Sequence, residues 1–271
     1  MDTPDTRADR VPVGGAQARQ EPPALQLTGL LKRFGDKTAV DHIDLTVPRG
    51  SFFGLVGPNG AGQSTCLSMA VGLLQPDGGS ARVFGIDVWV DPVGAKRLLG
   101  VLPDGMALPE RLTGRELLTY LGLLRGLDAD TVAGRAQELL DVLELTNAEQ
   151  TVVLDYSAGM RKKIILATAL LHTPRLLVLD EPFEAIDPVS AATIRTILGR
   201  FIEAGGSVVI SSHVMALVEQ LCDHVGVIAN GRLAASGTLD EVRGDGSLDD
   251  AFVRLVGAHT KGTEGLSWLM S

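Results

Sequence analysis

The sequence predicts an α/β fold built on a mainly parallel sheet, with a helical segment inserted into it. Buried parallel strands are indicated by short, continuous apolar stretches at 52–56, 176–179, 208–210 and 225–228. Segments with apolar residues three and four positions apart lie between these stretches and predict the helices that cover such a sheet. Residues 108–145 carry only this helical pattern and therefore predict the insertion.

The first part of the chain is predicted to be mostly β. Residues 25–30 and 43–47 alternate apolar with polar side chains, as half-buried strands do, and both precede the buried strand at 52–56. A helix is predicted over about 62–73. The sequence Pro-Asp-Gly-Gly at 76–79 predicts the turn that ends it.

Helices and strands alternate in the second half of the chain. The predicted order is helix 158–172, strand 176–179, helix 189–203, strand 208–210, helix 213–221 and strand 225–228. A capped amphipathic helix is predicted at 247–257, with Ser247 and Asp250 as its capping box. Residues 1–24 have no hydrophobic stretch, and we expect a disordered tail there.

Composition limits the possible functions. Lys and Arg number 24 against 33 Asp and Glu, a net charge of −9, which argues against nucleic acid as a partner. The longest apolar runs are far short of the roughly 20 residues that a membrane helix needs. No signal peptide is expected. The two cysteines, Cys66 and Cys222, lack the spacing of a metal site, so we expect buried thiols in a reducing cytosolic setting.

Residues 57–65 form the most informative motif. They follow the phosphate-binding pattern G-x-x-x-x-G-K-[ST] except that Gln63 stands in place of lysine. The members of this loop are Gly57, Pro58, Asn59, Gly60, Ala61, Gly62, Gln63, Ser64 and Thr65. Its glycines permit a turn that points backbone N–H groups at an anion, and the Ser64 hydroxyl suits Mg²⁺. The loop predicts a phosphate site that lacks its usual cation.

Two carboxylates follow the predicted strand at 176–179. Asp180 and Glu181 lie where a phosphate-loop enzyme needs one acid to hold Mg²⁺ and one to polarise the attacking water. Acidic residues also end strands for solubility alone, so the pair indicates a catalytic site only in combination with the phosphate-binding loop. Similarly, Ser157 and Gly159 open a helix whose N-terminus suits a phosphate, although Ser157 also fits a plain N-cap.

The order of these motifs resembles the nucleotide-binding subunit of ATP-binding cassette (ABC) transporters, over roughly residues 25–245. The matching segments are the loop, the helical insertion, Tyr-Ser-Ala-Gly-Met at 156–160, Leu-Asp-Glu-Pro at 179–182 and Ser-Ser-His at 211–213. This resemblance implies a P-loop NTPase core with an N-terminal antiparallel β subdomain and a helical insertion at about 105–158. Residues 246–271 would be a C-terminal helix and tail, similar to those of subunits that drive export.

The resemblance also implies roles for single residues. Phe34 would stack on adenine, although a core phenylalanine is the plain alternative. Asp187 would lie in the loop through which two subunits communicate, and it also suits an N-cap. His213 would contact the γ-phosphate. Ser157 and Gly159 would face the nucleotide of the partner subunit.

Three features depart from the family's usual pattern. Tyr156, Ala158 and Met160 replace residues of the usual Leu-Ser-Gly-Gly-Gln. Asp104 stands where the family has glutamine, and it could ligate Mg²⁺ through water. Replacement of the loop ammonium by the Gln63 amide forfeits about 1.5–3 kcal/mol of charge-assisted hydrogen bonding. In the transition state, loss of one such donor costs on the order of 10²–10³ in rate.

The resemblance therefore implies the ATP-binding subunit of an export system, with ATP and Mg²⁺ bound and hydrolysis impaired. The implied partners are a second ABC subunit, identical or not, and a separately encoded membrane permease, which would hold the chain at the cytoplasmic face of the membrane. A non-hydrolytic, ATP-dependent regulatory module is the alternative that Gln63 favours. A ribosomal or DNA-repair ABC protein ranks last. Another residue could also supply the missing charge, and Arg161, Lys162 and Lys163 follow the signature. The cargo is left open.

Overall fold

The computed structural model describes residues 21–257, which form two sheets flanked by helices. The first sheet is antiparallel, with strand order β2-β1-β4-β5. Its strands are β1 Leu25–Phe34, β2 Lys37–Val47, β4 Gly78–Val83 and β5 Ile86–Asp87. The long β1–β2 hairpin turns through two residues, and Phe34 and Lys37 pair at its end.

The second sheet has strand order β10-β9-β3-β8-β7-β6, and all its pairs except β10–β9 are parallel. Its strands are β3 Phe52–Val56, β6 Leu99–Leu102, β7 Leu176–Leu179, β8 Ser207–Ser212, β9 His224–Ala229 and β10 Arg232–Thr238. Four of the parallel strands are fully buried or nearly so, because both faces of the sheet are covered.

The helices are α1 Gln63–Ala70, α2 Pro92–Leu98, α3 Gly114–Leu124, α4 Ala129–Val142, α5 Ala158–Leu170, α6 Pro188–Glu203, α7 Met215–Leu221, α8 Leu239–Arg243 and α9 Leu248–Val256. Two cores form on opposite faces of the second sheet. Phe52 and Val56 of β3 pack with α3, α4 and α5, whereas Phe53 and Leu55 pack with the first sheet and α1. Successive side chains of β3 point to opposite faces of the second sheet, so this one strand packs against both the helical segment and the antiparallel sheet.

The predicted fold class is confirmed, but several details differ. The sequence at 76–79 was expected to be a turn, and that expectation was wrong for Gly78 and Gly79, which begin β4. The first helix ends at Ala70, earlier than expected. The elements β4, β5, α2, β6, β10 and α8 were not anticipated. The capping box of the last helix is present at Ser247 and Asp250. Most of the expected N-terminal tail, and all residues after 257, lie outside the described part of the chain.

Gly231 links the phosphate loop to both sheets. Its N–H donates to the Ala61 carbonyl at 2.9 Å, and its own carbonyl accepts from the Asp41 N–H at 2.8 Å. Gly231 has a φ of +77°, and a Cβ there would lie 2.9 Å from the Ala39 carbonyl oxygen. The β9–β10 turn therefore holds the loop against the edge of β2.

Within residues 21–257, the helices are all too short or too polar to cross a bilayer.

Candidate functional site

The loop that follows β3 takes a conformation that requires glycine. Gly60 and Gly62 have φ values of +78° and +109°. A Cβ on Gly62 would lie 2.4 Å from the carbonyl oxygen of Ala39, so a side chain there is excluded by both strain and contact. Pro58 accepts a hydrogen bond from the Ala61 N–H at 2.9 Å, which closes the turn. The loop is held open by its own backbone and by β2.

Gln63 is the first residue of α1, and its side chain points back into the loop. Its side-chain Nε2 donates to the Gly57 carbonyl at 2.9 Å, and the residue is only 9 % exposed. The adjacent Ser64 is exposed and Thr65 is half-buried. The first turn of α1 therefore presents a hydroxyl and free N–H groups, while the Gln63 amide binds the backbone of the loop itself.

A cleft of about 240 Å³ adjoins this loop. Its lining consists of Phe34, Lys37, Ala39, Gly60, Gly62, Gln63, Ser64 and Thr65. The Phe34 side chain is half-exposed at 51 %, so it is not the core phenylalanine that the sequence also allowed. An aromatic face and an N–H-rich helix start at the same cleft suit a ligand with both a ring and a phosphate chain.

Asp180 and Glu181 follow β7 and are joined through the neighbouring strand. The Ser211 hydroxyl of β8 donates to Asp180 Oδ1 and accepts from the Glu181 N–H at 2.8 Å. Asp180 is 6 % exposed and Ser211 is 1 % exposed. Because a buried carboxylate needs a donor, Ser211 fixes Asp180 at the carboxyl end of the sheet.

Glu181 adopts a left-handed backbone with a φ of +45°, which is unusual for a residue other than glycine. Side chains hold both of its peptide groups, because Ser211 accepts from its N–H and the Lys162 ammonium donates to its carbonyl. Such a conformation costs of order 1–3 kcal/mol and persists only where the surroundings enforce it. The direction of the Glu181 carboxylate is therefore set by α5 and β8 together.

His213 lies in the bend between β8 and α7 and meets Glu181. Its Nδ1 is 3.0 Å from Glu181 Oε1, with 46 % of the His213 side chain and 22 % of the Glu181 side chain exposed. The hydrogen bond from the imidazole to this carboxylate raises the pKa of His213 above its ordinary value, with a smaller contribution from Glu184. The imidazole is thus accessible, and its pairing with Glu181 favours the protonated form.

Lys162 lies among the acidic residues at the carboxyl edge of the second sheet. Burial lowers the pKa of Lys162, while nearby carboxylates oppose that shift. These carboxylates are Glu184, Asp104, Glu181 and Asp180. Asp104, predicted to lie in the loop after β6, is therefore close enough to Asp180 and Glu181 to act on the same ammonium. The carboxyl ends of β6, β7 and β8 bring the predicted acids together.

Ser157, Gly159 and Asp187 lie apart from the cleft. Ser157 is the N-cap of α5, and its hydroxyl accepts from the Met160 N–H at 3.2 Å. A Cβ on Gly159 would lie 3.8 Å from Asp187 Oδ2, so the two predicted sites are neighbours. Asp187 caps α6 as expected, accepting from the Val189 N–H at 3.0 Å. All three are exposed or half-exposed and do not line the Phe34 cleft.

Comparison with known proteins decides the family. The sequence model described as "ABC transporter" matches residues 40–184, more than half of the chain. The chain belongs to the ABC transporter family. Its match begins within β2, contains the phosphate loop and α5, and ends just after Glu181.

Curated relatives and solved structures agree with this assignment. The daunorubicin/doxorubicin resistance ATP-binding protein DrrA of Streptomyces peucetius is 39 % identical over 232 residues, covering 86 % of this chain and 70 % of DrrA. The Nod factor export ATP-binding protein I of Ralstonia nicotianae is 36 % identical over 220 residues, covering 81 % of this chain and 68 % of that protein. A solved ATP-binding subunit of an ABC transporter superposes with a TM-score of 0.80 at 29 % identity, covering 86 % and 99 %.

ABC ATPase domains bind ATP with Mg²⁺, and the cleft fits that ligand. The left-handed glycine backbone of the loop and the free N–H groups at the start of α1 suit phosphate oxygens. Among the described residues, no three His, Cys, Asp or Glu side chains are grouped to hold a metal. Mg²⁺ is commonly held by only one or two protein oxygens, with phosphate and water completing its shell.

The sequence did not predict the contacts of Ser211 and Lys162 or the position of Lys37 in this site. Ser211 joins Asp180 to Glu181, Lys162 holds the Glu181 carbonyl, and Lys37 lines the cleft. Ser211 was seen only as part of Ser-Ser-His, and its partners lie about 30 residues away in sequence. The one available signal was for Lys37, which is three residues beyond the predicted adenine contact Phe34.

Proposed function

We propose that this chain is the ATP-binding subunit of an ABC export system, which couples MgATP binding to a separately encoded membrane permease. The printed functions of its relatives, drug resistance and Nod factor export, support the export direction. The observation that carries the proposal is the cleft in which Phe34 and the phosphate loop meet. The loop follows β3, and Asp180 and Glu181 follow β7, which lies two strands away in the same parallel sheet.

The residues divide the work as follows. Phe34 stacks on the adenine ring, and the loop N–H groups bind the phosphates. Ser64 and Asp180 would hold Mg²⁺, with Asp104 acting through water, and the ion would neutralise phosphate charge. Glu181 orients the attacking water, and His213 orients Glu181 and reaches towards the γ-phosphate.

Gln63 makes hydrolysis slow at this site. The usual lysine would contribute a charge-assisted hydrogen bond worth about 1.5–3 kcal/mol, roughly a tenfold to hundredfold effect if it fell on binding alone. Its loss is felt more in the transition state, where one preorganised donor is worth on the order of 10²–10³ in rate. ATP binding therefore survives and turnover falls.

Family membership supports a domain organisation and a set of partners for this chain. Residues 25–245 form the ATPase domain, with the helical insertion at about 105–158. Two such subunits pair, and Ser157 and Gly159 face the partner's nucleotide. Asp187, which neighbours Gly159, lies in the loop through which the two subunits communicate. The permease holds the dimer at the cytoplasmic face of the membrane.

One observation favours a second candidate function. Because the Gln63 amide is committed to the Gly57 carbonyl, the chain also suits a non-hydrolytic module whose ATP-dependent dimerisation regulates a partner.

Binding and hydrolysis measured on the purified chain test both candidates. Isothermal titration with MgATP is expected to detect binding to the wild type, and Gln63→Lys is expected to raise the hydrolysis rate by about 10²–10³. The double variant Gln63→Lys with Glu181→Gln serves as a control, since activity gained at this site must fall again. Equal rates for wild type and Gln63→Lys would overturn the account of Gln63. No hydrolysis by either, together with ATP-dependent dimers in sedimentation, would favour the regulatory module.

A further inference from the structure

The cleft needs a cation that Gln63 does not supply. A triphosphate carries several negative charges, and the Gln63 amide is neutral, largely buried and turned to the Gly57 carbonyl. The N–H groups of the loop bind phosphate oxygens but carry only partial charge. A side-chain cation at the same cleft would therefore strengthen binding of the triphosphate.

The three cations that follow the signature are already engaged within their own chain. Arg161 donates to the Leu154 carbonyl at 2.9 Å. Lys162 donates to the Glu181 carbonyl. Lys163 is 5 % exposed and lies 3.5 Å from the Glu144 carboxylate. These side chains stabilise α5 and the Glu181 backbone and are not available to the cleft.

Lys37 is differently placed. It is the one cationic side chain among the described residues that line the cleft, where it accompanies Phe34 and Gln63. It begins β2 and pairs directly with Phe34 across the hairpin. It is exposed, and its ammonium has no hydrogen-bond or ion-pair partner within residues 21–257. Lys32 of the same hairpin, by contrast, is held by Asp77 at 2.9 Å.

We propose that Lys37 binds the phosphate chain of the nucleotide and replaces part of the charge that Gln63 lacks. This inference rests on the proposed function. With the ring of the ligand on Phe34 and its terminal phosphates at the first turn of α1, the stretch between them passes the start of β2. A lysine ammonium binds phosphate as a mobile point charge, so a free, exposed side chain on a rigid strand suits the task.

The ligand dependence of the effect identifies its origin. Loss of a contact with phosphate weakens the binding of ATP and ADP but leaves the binding of adenosine unchanged. Because the ammonium is exposed, the contribution of Lys37 should shrink as salt rises. For an exposed charge-assisted contact we expect about a three- to tenfold change in affinity.

A double-mutant cycle tests the inference. MgATP affinity is measured by isothermal titration at low ionic strength for wild type, Lys37→Gln, Gln63→Lys and the double variant. Lys37→Gln is expected to weaken binding by about three- to tenfold in the wild type and by less than about twofold once Gln63→Lys restores the loop cation. Lys37→Arg, which keeps the charge, is expected to bind as the wild type does.

Arg33→Gln is the matched control. It removes one positive charge from the exposed end of the same hairpin, and Arg33 does not line the cleft. An equal loss for Arg33→Gln and Lys37→Gln would overturn the inference, as would an equal loss in both Gln63 backgrounds or no loss for a Lys37→Gln protein with wild-type circular dichroism. If the wild type itself binds no ATP, the proposed function fails first. If it binds and Lys37→Gln matches it, only the inference fails.

Discussion

Replacement of Ser211 by alanine tests how the carboxylate edge is held. The Ser211 hydroxyl, 1 % exposed, donates to the buried Asp180 carboxylate and accepts from the Glu181 N–H at 2.8 Å. Ser211→Ala keeps the size of the side chain and removes both contacts. A hydrogen bond to a charged group is worth about 1.5–3 kcal/mol, and a stranded N–H adds about 1 kcal/mol where water can reach it. We expect a loss of about 2–4 kcal/mol in the free energy of unfolding.

Urea unfolding at neutral pH, followed by circular dichroism, measures that loss. The adjacent Ser212→Ala is the control, because Ser212 is also buried, at 2 % exposure, but its hydroxyl accepts only from the Val214 N–H at 3.1 Å. We expect this control to lose about 1 kcal/mol or less. If Ser211→Ala is as stable as the wild type, or no less stable than Ser212→Ala, the bridge from β8 does not hold Asp180 and Glu181.

Three further predictions concern Gly62 of the phosphate loop, the His213–Glu181 pair and the Asp187 cap of α6. Gly62→Ala should abolish ATP binding, because its Cβ would lie 2.4 Å from a carbonyl oxygen, whereas Gly60→Ala, with open space around it, should cost only about 1–2 kcal/mol in stability. Glu181→Gln should lower the pKa of His213 towards its ordinary value in an NMR titration. The pKa of His213 is raised by Glu181, so their pairing stabilises the fold below the unfolded pKa of about 6.5 and fades as pH rises through the folded value; an unchanged titration would contradict the pairing. Asp187→Ala should lower the urea midpoint at pH 7. Hydrogen bonds from Ser190 lower the pKa of Asp187 below its ordinary value of 3.8, so the ionised cap stabilises α6 above that pKa. The stability difference between wild type and Asp187→Ala should vanish as pH falls through the lowered pKa. A difference that persists in stronger acid would contradict the role of Asp187 as the cap.

The elements that the sequence predicted well are those with a local sequence signal, such as a continuous apolar run or a helix-capping residue. The strand Leu176–Leu179 is a continuous apolar run that is buried on both faces, and α6 begins with the expected Asp187 cap. The strand β4 was missed because two glycines open it, and their turn-forming character conceals pairing with β1. The strand β10 was missed because its Ala, Ser and Gly residues have weak strand preference, and its pairing with β9 decides its conformation.

For the candidate site, the sequence pointed to candidate residues but not to the contacts that hold them in place. The positions of Asp180 and His213 follow from the rule that parallel strands present their carboxyl ends at one edge. The left-handed backbone of Glu181 has no local signal, because Lys162 and Ser211 reach it from other elements. The inward turn of the Gln63 amide also depends on a carbonyl that only the folded loop brings within 2.9 Å.

The contacts of Gly231 have a consequence for the order in which the site forms during translation. The loop at Ala61 is made early by the ribosome, but the donor that fixes its carbonyl arrives some 170 residues later. Until β9 and β10 have emerged, the nascent chain carries a phosphate loop that lacks one of its supports and a β2 edge that lacks an acceptor. We therefore expect the nucleotide to be captured late in synthesis, when nearly the whole described chain is available to close around it.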